Sequence, residues 1–290
     1  MDYHQDRFND FSLMIYKNEK LVALLPANKV DNEVFSHQGL TYGGLLLDSN
    51  IKFRDTLNVL RVVLKFLYDH DISSINVKLI PPIYVGQPSD ELSYLMFLTK
   101  AELIRRDALA VLKLNNRPKR SKDRVEGYKR GLKNNLVIKE VQDFDAFWNV
   151  VLKVNLQEKH QANPVHSLNE ITLLKEKFPN RIRQFNVYKD ENIVAGTTIF
   201  ETEYVAHSQY ISGNSDKNTL GSLDFLHTHL IENVFKHKMY FDFGISNENS
   251  GKNVNEGLQY WKEGFGARTV TQDFYLVRTE NYKLLDDVML

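Results

Sequence analysis

Two histidines in one short segment are the candidates for proton transfer. His160 and His166 flank a polar stretch, and the imidazole ring titrates near neutral pH, where a general base must work. A structural role is the alternative for either one, because most single histidines serve the fold. His227 and His229 lie two positions apart on a predicted helix, so they point in different directions and predict no metal site.

Polar side chains beside predicted buried strands are the candidates for substrate contact. Strand ends are where polar groups meet a ligand, although Gly, Ser and Asn also form turns without one. A lysine at the end of a later short helix can neutralise a phosphate or a tetrahedral oxyanion, or simply complement the helix dipole. The candidates are Gln209, Tyr210, Ser246, Asn247, Asn249 and Lys262.

The segment that opens a predicted amphipathic helix is the candidate site for the phosphates of an acyl donor. It consists of Asn218, Thr219, Leu220, Gly221 and Ser222. Unpaired N–H groups and the positive dipole end of such a helix can hold a pyrophosphate. An ordinary helix cap by Asn218 or Thr219 is the alternative, since a lone glycine is a weak motif.

A basic cluster connects the two halves of the chain. Residues 115–135 contain eight basic and two acidic side chains, and Ser121 is suited to cap a helix. We therefore predict a basic connecting helix over 117–133. Arg124 and Lys129 represent its candidate contacts to the phosphates of a nucleotide-linked acceptor or of a tRNA. A solvated connecting helix without a ligand is the alternative.

Composition excludes several classes of protein. The 290 residues, 42% of them hydrophobic and 26% charged, are typical of a globular chain with room for two domains. Equal numbers of basic and acidic residues, 37 each, produce no overall field that attracts nucleic acid or anionic membrane. The absence of cysteine excludes disulfides, thiolate nucleophiles and Cys-ligated metals. With no basic–apolar leader and no apolar run of about 18 residues, we predict a cytoplasmic protein.

The chain repeats itself in order. YKNEKLVALLPA at 16–27 and YKDENIVAGTTI at 188–199 are both typical of a β-hairpin. Each is followed by a strand, an amphipathic helix, an alternating strand, and a short helix that leads into a terminal strand. The apolar positions of the two amphipathic helices are Leu57, Leu60, Leu64 and Leu67, and Leu223, Leu226, Leu230 and Val234.

The repeat predicts two domains, 1–114 and 115–290. Before its hairpin the second has a strand at 136–141 and helices at 144–160 and 167–178, the last starting at the capping box SLNE. The first has only about a dozen residues there, so either it is cut down or the chain begins partway into a longer protein. We predict the α+β class, with each domain a mostly antiparallel mixed sheet flanked by helices.

Several motifs resemble FemAB-like members of the GNAT superfamily. YFDFGISNENSGKNVNEGLQYWKEGFGAR at 240–268 is similar to their late segment in length and order. SKDRVEGYKRGLKNN at 121–135, HQANPVHS at 160–167 and IVAG at 193–196 also agree. The resemblance implies tandem GNAT domains that transfer an acyl or aminoacyl group to an amine, often on a cell-envelope sugar or peptide precursor. The chain departs from the usual pyrophosphate loop, Q/R-x-x-G-x-G/A, because SDKNTLGSLD at 215–224 has a single glycine.

Three functional hypotheses follow from the residues and the resemblance. In the first, the second domain transfers an acyl group directly from acyl-CoA to an amine, without a metal, while the first is non-catalytic and completes the acceptor cleft. In the second, the donor is an aminoacyl-tRNA, which would explain the basic helix. In the third, the chain is a non-catalytic ligand-binding protein with a GNAT fold.

Overall fold

This computed structural model describes residues 2–4 and 6–289, apart from the side chains of Asp2, Lys159 and His160. The described chain contains both strands and helices. The strands are β1 Asn9–Asp10, β2 Leu13–Lys17, β3 Lys20–Leu25, β4 Asn28–Val30, β5 Glu33–Phe35, β6 Leu46–Leu47, β7 Ser74–Lys78, β8 Glu102–Lys113, β9 Val137–Val141, β10 Ile182–Lys189, β11 Asn192–Glu201, β12 Val205–Gly213, β13 Tyr240–Ile245, β14 Asn247–Glu248, β15 Asn253–Val254 and β16 Arg268–Arg278. The α-helices are α1 Phe53–Asp69, α2 Glu91–Leu98, α3 Lys122–Lys133, α4 Lys153–His160, α5 Leu168–Lys177, α6 Lys217–Leu220, α7 Ser222–His229 and α8 Glu256–Glu263. Two π-helical segments, Ala146–Leu152 and Leu230–Val234, precede α4 and follow α7.

The chain forms two units. Unit 1 comprises residues 1–107, 249–253 and 271–290, and unit 2 comprises residues 108–248 and 254–270. Each unit therefore takes in strand residues from both predicted domains, namely residues 108–113 of β8 in unit 2 and residues 271–278 of β16 in unit 1. The single boundary after residue 114 stays a prediction.

Unit 1 contains a sheet in the order β1, β4, β5, β7, β16 and a small sheet of β2, β3 and β6. Its neighbouring strands run antiparallel, except that β5 and β7 are parallel. The predicted apolar face of α1 is buried in the core of this unit, with Leu64 and Leu67 fully enclosed. The hairpin expected near residues 16–27 is β2–β3.

Unit 2 contains a sheet in the order β8, β13, β12, β11, β10, β9. In its described pairings β12 and β13 run parallel and the other neighbours run antiparallel. The second predicted hairpin is β10–β11. Leu226 and Leu230, in α7 and the π-helical segment after it, are fully buried beneath this sheet. The predicted α+β class, with mixed sheets flanked by helices, is confirmed.

Local signals in the sequence set the helix starts. Ser121 caps α3 by accepting a hydrogen bond from the backbone N–H of Arg124, so the helix starts at Lys122 and residues 117–121 precede it. Ser167 and Glu170 form the predicted capping box at the start of α5. These are short-range hydrogen bonds that satisfy N–H groups left unpaired in the first turn, which is why the sequence alone predicts them.

Two glycines allow α3 to approach α7 closely. A Cβ at Gly127 would overlap the carboxylate of Asp224, and a Cβ at Gly131 would overlap the side chain of Phe225. Both glycines are buried, while the rest of α3 is partly or fully exposed. The basic helix is therefore packed on α7 along its glycine face, and its lysines, Lys122, Lys129 and Lys133, are exposed.

Replacing Gly127 by alanine tests this packing. The added methyl group has no room, so Gly127→Ala should lower the free energy of unfolding by about 1–3 kcal/mol, measured by urea denaturation. Gly257→Ala is the matched control, because it lies in α8 with its nearest neighbour 3.9 Å from the new Cβ. That change should raise stability by up to about 1 kcal/mol. Equal effects of the two variants would contradict the packing.

Candidate functional site

The parallel strands of unit 2 separate after three residue pairs. β12 and β13 pair through Val205 with Tyr240, Ala206 with Phe241, and His207 with Asp242. No register pair joins the described residues of the two strands beyond that point, although β12 continues to Gly213 and β13 to Ile245. The gap between them is a cleft of about 860 Å³, here called the β12/β13 cleft. Side chains from α3, α4, α6, α7 and α8 complete its walls.

A β-bulge lies beside the point of separation. On β11, Thr198 faces Tyr210 and Ile199 faces Ser208, so Gln209 has no register partner. Thr197 Oγ1 donates to the carbonyl of Tyr210 at 2.7 Å and contacts Ser208 Oγ at 3.0 Å. A bulged residue is left out of the ladder and its direction changes. Gln209, predicted to contact substrate, accordingly lines the β12/β13 cleft.

A buried histidine–aspartate pair occupies the last rung before the strands separate. His207 Nδ1 lies 2.8 Å from Asp242 Oδ2, and Asp242 is fully buried. The other ring nitrogen of His207 lies 3.2 Å from Gln209 Oε1, and Asp242 Oδ1 accepts a hydrogen bond from the N–H of Gly244. The pair therefore orients the Gln209 side chain at the cleft. Neither residue is among those predicted from the sequence, although a histidine and an aspartate within apolar strands are a signal that could have revealed them.

Lys262 reaches the same cleft from α8. Its side chain is 2% exposed and donates to the carbonyls of Gly244 at 3.0 Å and Ile245 at 2.6 Å. Burial lowers the pKa of this ammonium group to about 8, and the nearby carboxylate of Asp242 acts in the opposite direction. The structure thus brings Lys262 and Gln209, two predicted substrate contacts, to one cleft.

An ion pair fixes α3 over the start of α7. Arg124 donates to Asp224 Oδ1 at 2.8 Å, and the indole N–H of Trp261 donates to the same oxygen at 2.8 Å. Burial raises the pKa of Asp224, while the charge of Arg124 acts against this rise. Arg124 lines the β12/β13 cleft as well. Lys129, the other predicted contact on α3, is exposed and pairs with Glu126 at 2.8 Å.

The predicted phosphate segment is a junction between two helices. Leu220, Gly221 and Ser222 are buried, and Gly221 adopts a left-handed conformation with φ of +69°. A Cβ at Gly221 would overlap the carbonyl of Gly127 on α3. A residue larger than glycine has no room at this position, because α3 lies against it. The phosphate role of the segment stays a prediction. Asn218 is exposed and lines the cleft, and Thr219 is exposed.

The two predicted general bases lie near the two ends of the segment between α4 and α5, and their catalytic roles stay predictions. His166 is not among the described residues that line the cleft. His160 ends α4, and its side chain lies outside the described part of the chain. His166 Nδ1 lies 2.6 Å from the hydroxyl of Tyr210, which also accepts from the His166 backbone N–H at 3.1 Å. The carbonyl of His166 accepts from the indole of Trp148. His166 and Tyr210 therefore hold the segment before α5 against β12.

The remaining predicted contacts follow β13. Ser246 is 4% exposed, and its hydroxyl has no hydrogen-bond partner among the described residues. Asn247 accepts from the backbone N–H of Ala108 at 2.7 Å. Asn249 belongs to unit 1, has φ of 49° and donates to Asn253. None of these three side chains lines the β12/β13 cleft, and their substrate roles stay predictions.

Behind the bulge, His227 is completely buried. Its Nδ1 lies 2.9 Å from the carbonyl of Leu223 and its Nε2 lies 3.5 Å from Ser208 Oγ. Burial lowers the pKa of His227 to about 4, and the charge of Lys262 acts in the same direction. The ring is therefore neutral at pH 7. Among the described residues, no group of three or more His, Asp or Glu side chains is placed to hold a metal ion.

Comparisons with known proteins establish the fold. No family model and no curated protein matches the sequence. FemX is similar with a TM-score of 0.65 at 10% identity, over 93% of this chain and 89% of that one. The C-terminal domain of a protein described as a lysylphosphatidylglycerol synthetase from Agrobacterium fabrum has a TM-score of 0.62 at 12% identity, over 94% and 85%. L-PGS from Bacillus licheniformis has a TM-score of 0.60 at 12% identity, over 98% and 94%. The resemblance to FemAB-like proteins with a GNAT fold is confirmed at the level of fold. In the described part of the chain no helix is long and apolar enough to cross a membrane.

The buried ring of His227 predicts a pH dependence of stability. Its pKa is about 4 in the folded chain and 6.5 in the reference state, so the unfolded chain binds the proton more readily. Stability should therefore fall as the pH drops below 6.5, by about 2 kcal/mol at pH 5. His227→Gln should remove this part of the pH dependence in urea denaturation, whereas His237→Gln at an exposed site should not. An unchanged pH dependence in His227→Gln would contradict the assignment.

Proposed function

We propose that the chain is an N-acyltransferase whose reaction takes place in the β12/β13 cleft. The observation that carries this proposal is the separation of two parallel strands directly beside the bulged residue Gln209. Such a gap admits a thin, extended acyl donor, and the N–H of a bulged residue is free of the ladder and can donate to a carbonyl oxygen. A cavity with a few converging polar groups is typical of a binding site.

The proposed reaction is direct transfer. The amine of the acceptor attacks the carbonyl carbon of an activated ester or thioester, and the oxyanion that forms accepts from the N–H of Gln209. The tetrahedral intermediate then expels the alcohol or thiol, which leaves the acyl group in an amide bond. His207 and Asp242 act by holding the Gln209 side chain at the cleft. The acceptor class that we propose is an amine on a cell-envelope sugar or peptide precursor.

An exposed position on the cleft wall tests the location. Leu258 is 39% exposed and lines the cleft from α8, whereas Tyr260 on the same helix is 58% exposed and does not line it. Leu258→Trp should narrow the cleft and reduce transfer at least tenfold, while Tyr260→Trp should leave it near the original level. Transfer is measured as base-stable labelled product, with acetyl-CoA or mixed aminoacyl-tRNAs as donors and glucosamine or a lysine-containing pentapeptide as acceptors.

Two outcomes of that experiment would contradict the proposal. Equal loss of transfer in both tryptophan variants would place the reaction elsewhere. Saturable binding of an acceptor without base-stable product from any donor would favour the third hypothesis, a ligand-binding protein that has kept the fold and lost the chemistry.

A second candidate for the donor is aminoacyl-tRNA in place of acyl-CoA. The observation that favours it is the exposed basic face of α3, a helix that also lines the β12/β13 cleft. The same helix presents Lys122, Lys129 and Lys133 on its exposed side. Cations on one face of a helix attract a phosphate backbone through release of counterions, and such binding weakens steeply with salt.

Removing charge from α3 separates the two donors. Lys122→Gln with Lys133→Gln should weaken binding of an aminoacyl-tRNA and reduce the salt dependence of the binding constant by up to about two units of slope. The matched control is Lys189→Gln with Lys236→Gln, which removes the same charge from exposed positions elsewhere in unit 2. Binding is measured by filter retention between low and physiological salt. Saturable binding of acetyl-CoA that is unchanged in both double variants would instead favour acyl-CoA as the donor.

A further inference from the structure

Among the described side chains of unit 2, Lys238 and Lys262 are buried and have different sets of acceptors. Lys238 is 9% exposed and donates to the carbonyls of Thr202 at 2.6 Å and Glu203 at 3.2 Å. It also pairs with the carboxylate of Glu201 at 2.9 Å. Three N–H groups of an ammonium thus have three acceptors, and the positive charge has a negative partner. This is the arrangement expected of a buried lysine that stays protonated.

Lys262 differs from Lys238 in what its nitrogen contacts. It is 2% exposed and donates to two carbonyls, those of Gly244 and Ile245. No described carboxylate lies within ion-pair distance of its nitrogen. A neutral amine has two N–H groups and one lone pair, so two acceptors satisfy it fully and leave the lone pair unused. A protonated amine here would have a third N–H without an acceptor and a full charge with no described carboxylate within ion-pair distance, which is costly in a buried site.

The unused lone pair of the neutral amine is on Nζ of Lys262, a residue that lines the β12/β13 cleft. The proposed transfer needs a group at this place, because an attacking amine must lose a proton and the leaving group must gain one. His166 is held by Tyr210 and does not line the cleft. The side chain of His160 lies outside the described part of the chain. Among the described residues that line the cleft, Lys262 has a basic nitrogen with an unused lone pair.

We propose that Lys262 is the general base of the transfer and works as the neutral amine. As the bond between the acceptor nitrogen and the acyl carbon forms, the lone pair of Lys262 Nζ accepts the proton of that nitrogen. As the bond from the acyl carbon to the leaving oxygen or sulfur breaks, the same proton passes from Nζ to the leaving atom. The enzyme ends in its starting protonation state. This inference rests on the proposed function and replaces the role of charged phosphate or oxyanion contact predicted for Lys262.

The charged neighbours of Lys262 are compatible with this role. Burial lowers its pKa to about 8, and Asp242 on β13 raises it, so both protonation states are accessible near neutral pH. His227 on α7 is neutral at that pH. Arg124 and Asp224 line the same cleft and pair with each other. The remaining charged side chains that line the cleft are Asp123, Glu126, Arg130 and Lys217.

Chemical acetylation measures the free lone pair without any need for turnover. The full chain is treated with p-nitrophenyl acetate from pH 6 to pH 10, and the acetylation rate of each lysine is followed by peptide mass spectrometry. We expect Lys262 to react at least tenfold faster than Lys238 at pH 8, with a rate that levels off above that pH. Exposed Lys189 reports the behaviour of an ordinary lysine. A Lys262 that is unreactive, or that follows the pH dependence of Lys189, overturns the proposal.

Variants then separate a base from a fixed charge. Lys262→Arg keeps the charge and has no accessible lone pair, so it should reduce transfer at least a hundredfold. In the original chain, transfer should rise with pH up to about 8 and then level off. A rate that falls above pH 8, with substantial activity in Lys262→Arg, would show that the ammonium charge is what matters and would overturn the proposal.

Chemical rescue shows whether a loss of transfer comes from the missing amine or from misfolding of the variant. The chain has no cysteine, so Lys262→Cys creates a single site for alkylation by 2-bromoethylamine. The product is an amine of nearly the same length with a lower ordinary pKa than lysine. Transfer should return, and the midpoint of its pH dependence should be lower than in the original chain. A recovered rate with an unshifted midpoint would contradict a role of this amine as the general base. Absence of transfer by the original chain with every donor would instead reject the proposed function, while acetylation of Lys262 would still report on its lone pair.

Discussion

The short parallel pairing of β12 and β13 is the constraint on which the site of unit 2 depends. Three rungs hold the strands together, and the last of them joins His207 to Asp242. A fourth rung would close the gap and remove the cavity. Instead, the bulge at Gln209 turns β12 away, and the pair His207–Asp242 supplies side-chain hydrogen bonds at the place where the backbone ladder ends. Polar groups that would be costly in the core are thus satisfied at the edge of the cleft.

Buried polar networks on both faces of β12 keep this opening in one geometry. On one face, His207 joins Asp242 and Gln209. On the other, Ser208 lies between Thr197 and His227. The first network joins residues of two neighbouring strands, and the second joins β12 to β11 and to α7. Such networks define a single arrangement, because a shifted register would leave buried donors unpaired.

Local patterns of the sequence predict the elements, and distant pairings set the chemistry. The caps of α3 and α5 and the apolar face of α1 depend on residues three or four positions apart, so they could be predicted. His207 and Asp242 are 35 positions apart and meet only because their strands share a register. The burial of Lys262 could not be deduced from its place near the end of α8. A solvated lysine that complements the helix dipole would fit the same position in the sequence. His166 could be chosen as a candidate base from its residue type, but its pairing with Tyr210, 44 positions along the chain, could not be predicted.

Gly221 shows how one sequence feature can have two physical causes. A glycine before a helix permits a close approach, and the sequence cannot say whether a phosphate or a neighbouring helix makes it. In the structure α3 makes that approach, with Gly127 facing Gly221 and the pair Arg124–Asp224 beside them. The positive end of α7 is therefore covered by a helix that itself carries positive charge, and the carboxylate of Asp224 compensates for both. Cations for an anionic donor are present on the exposed face of α3, with Lys122, Lys129 and Lys133, and at the cleft, with Arg130 and Lys217.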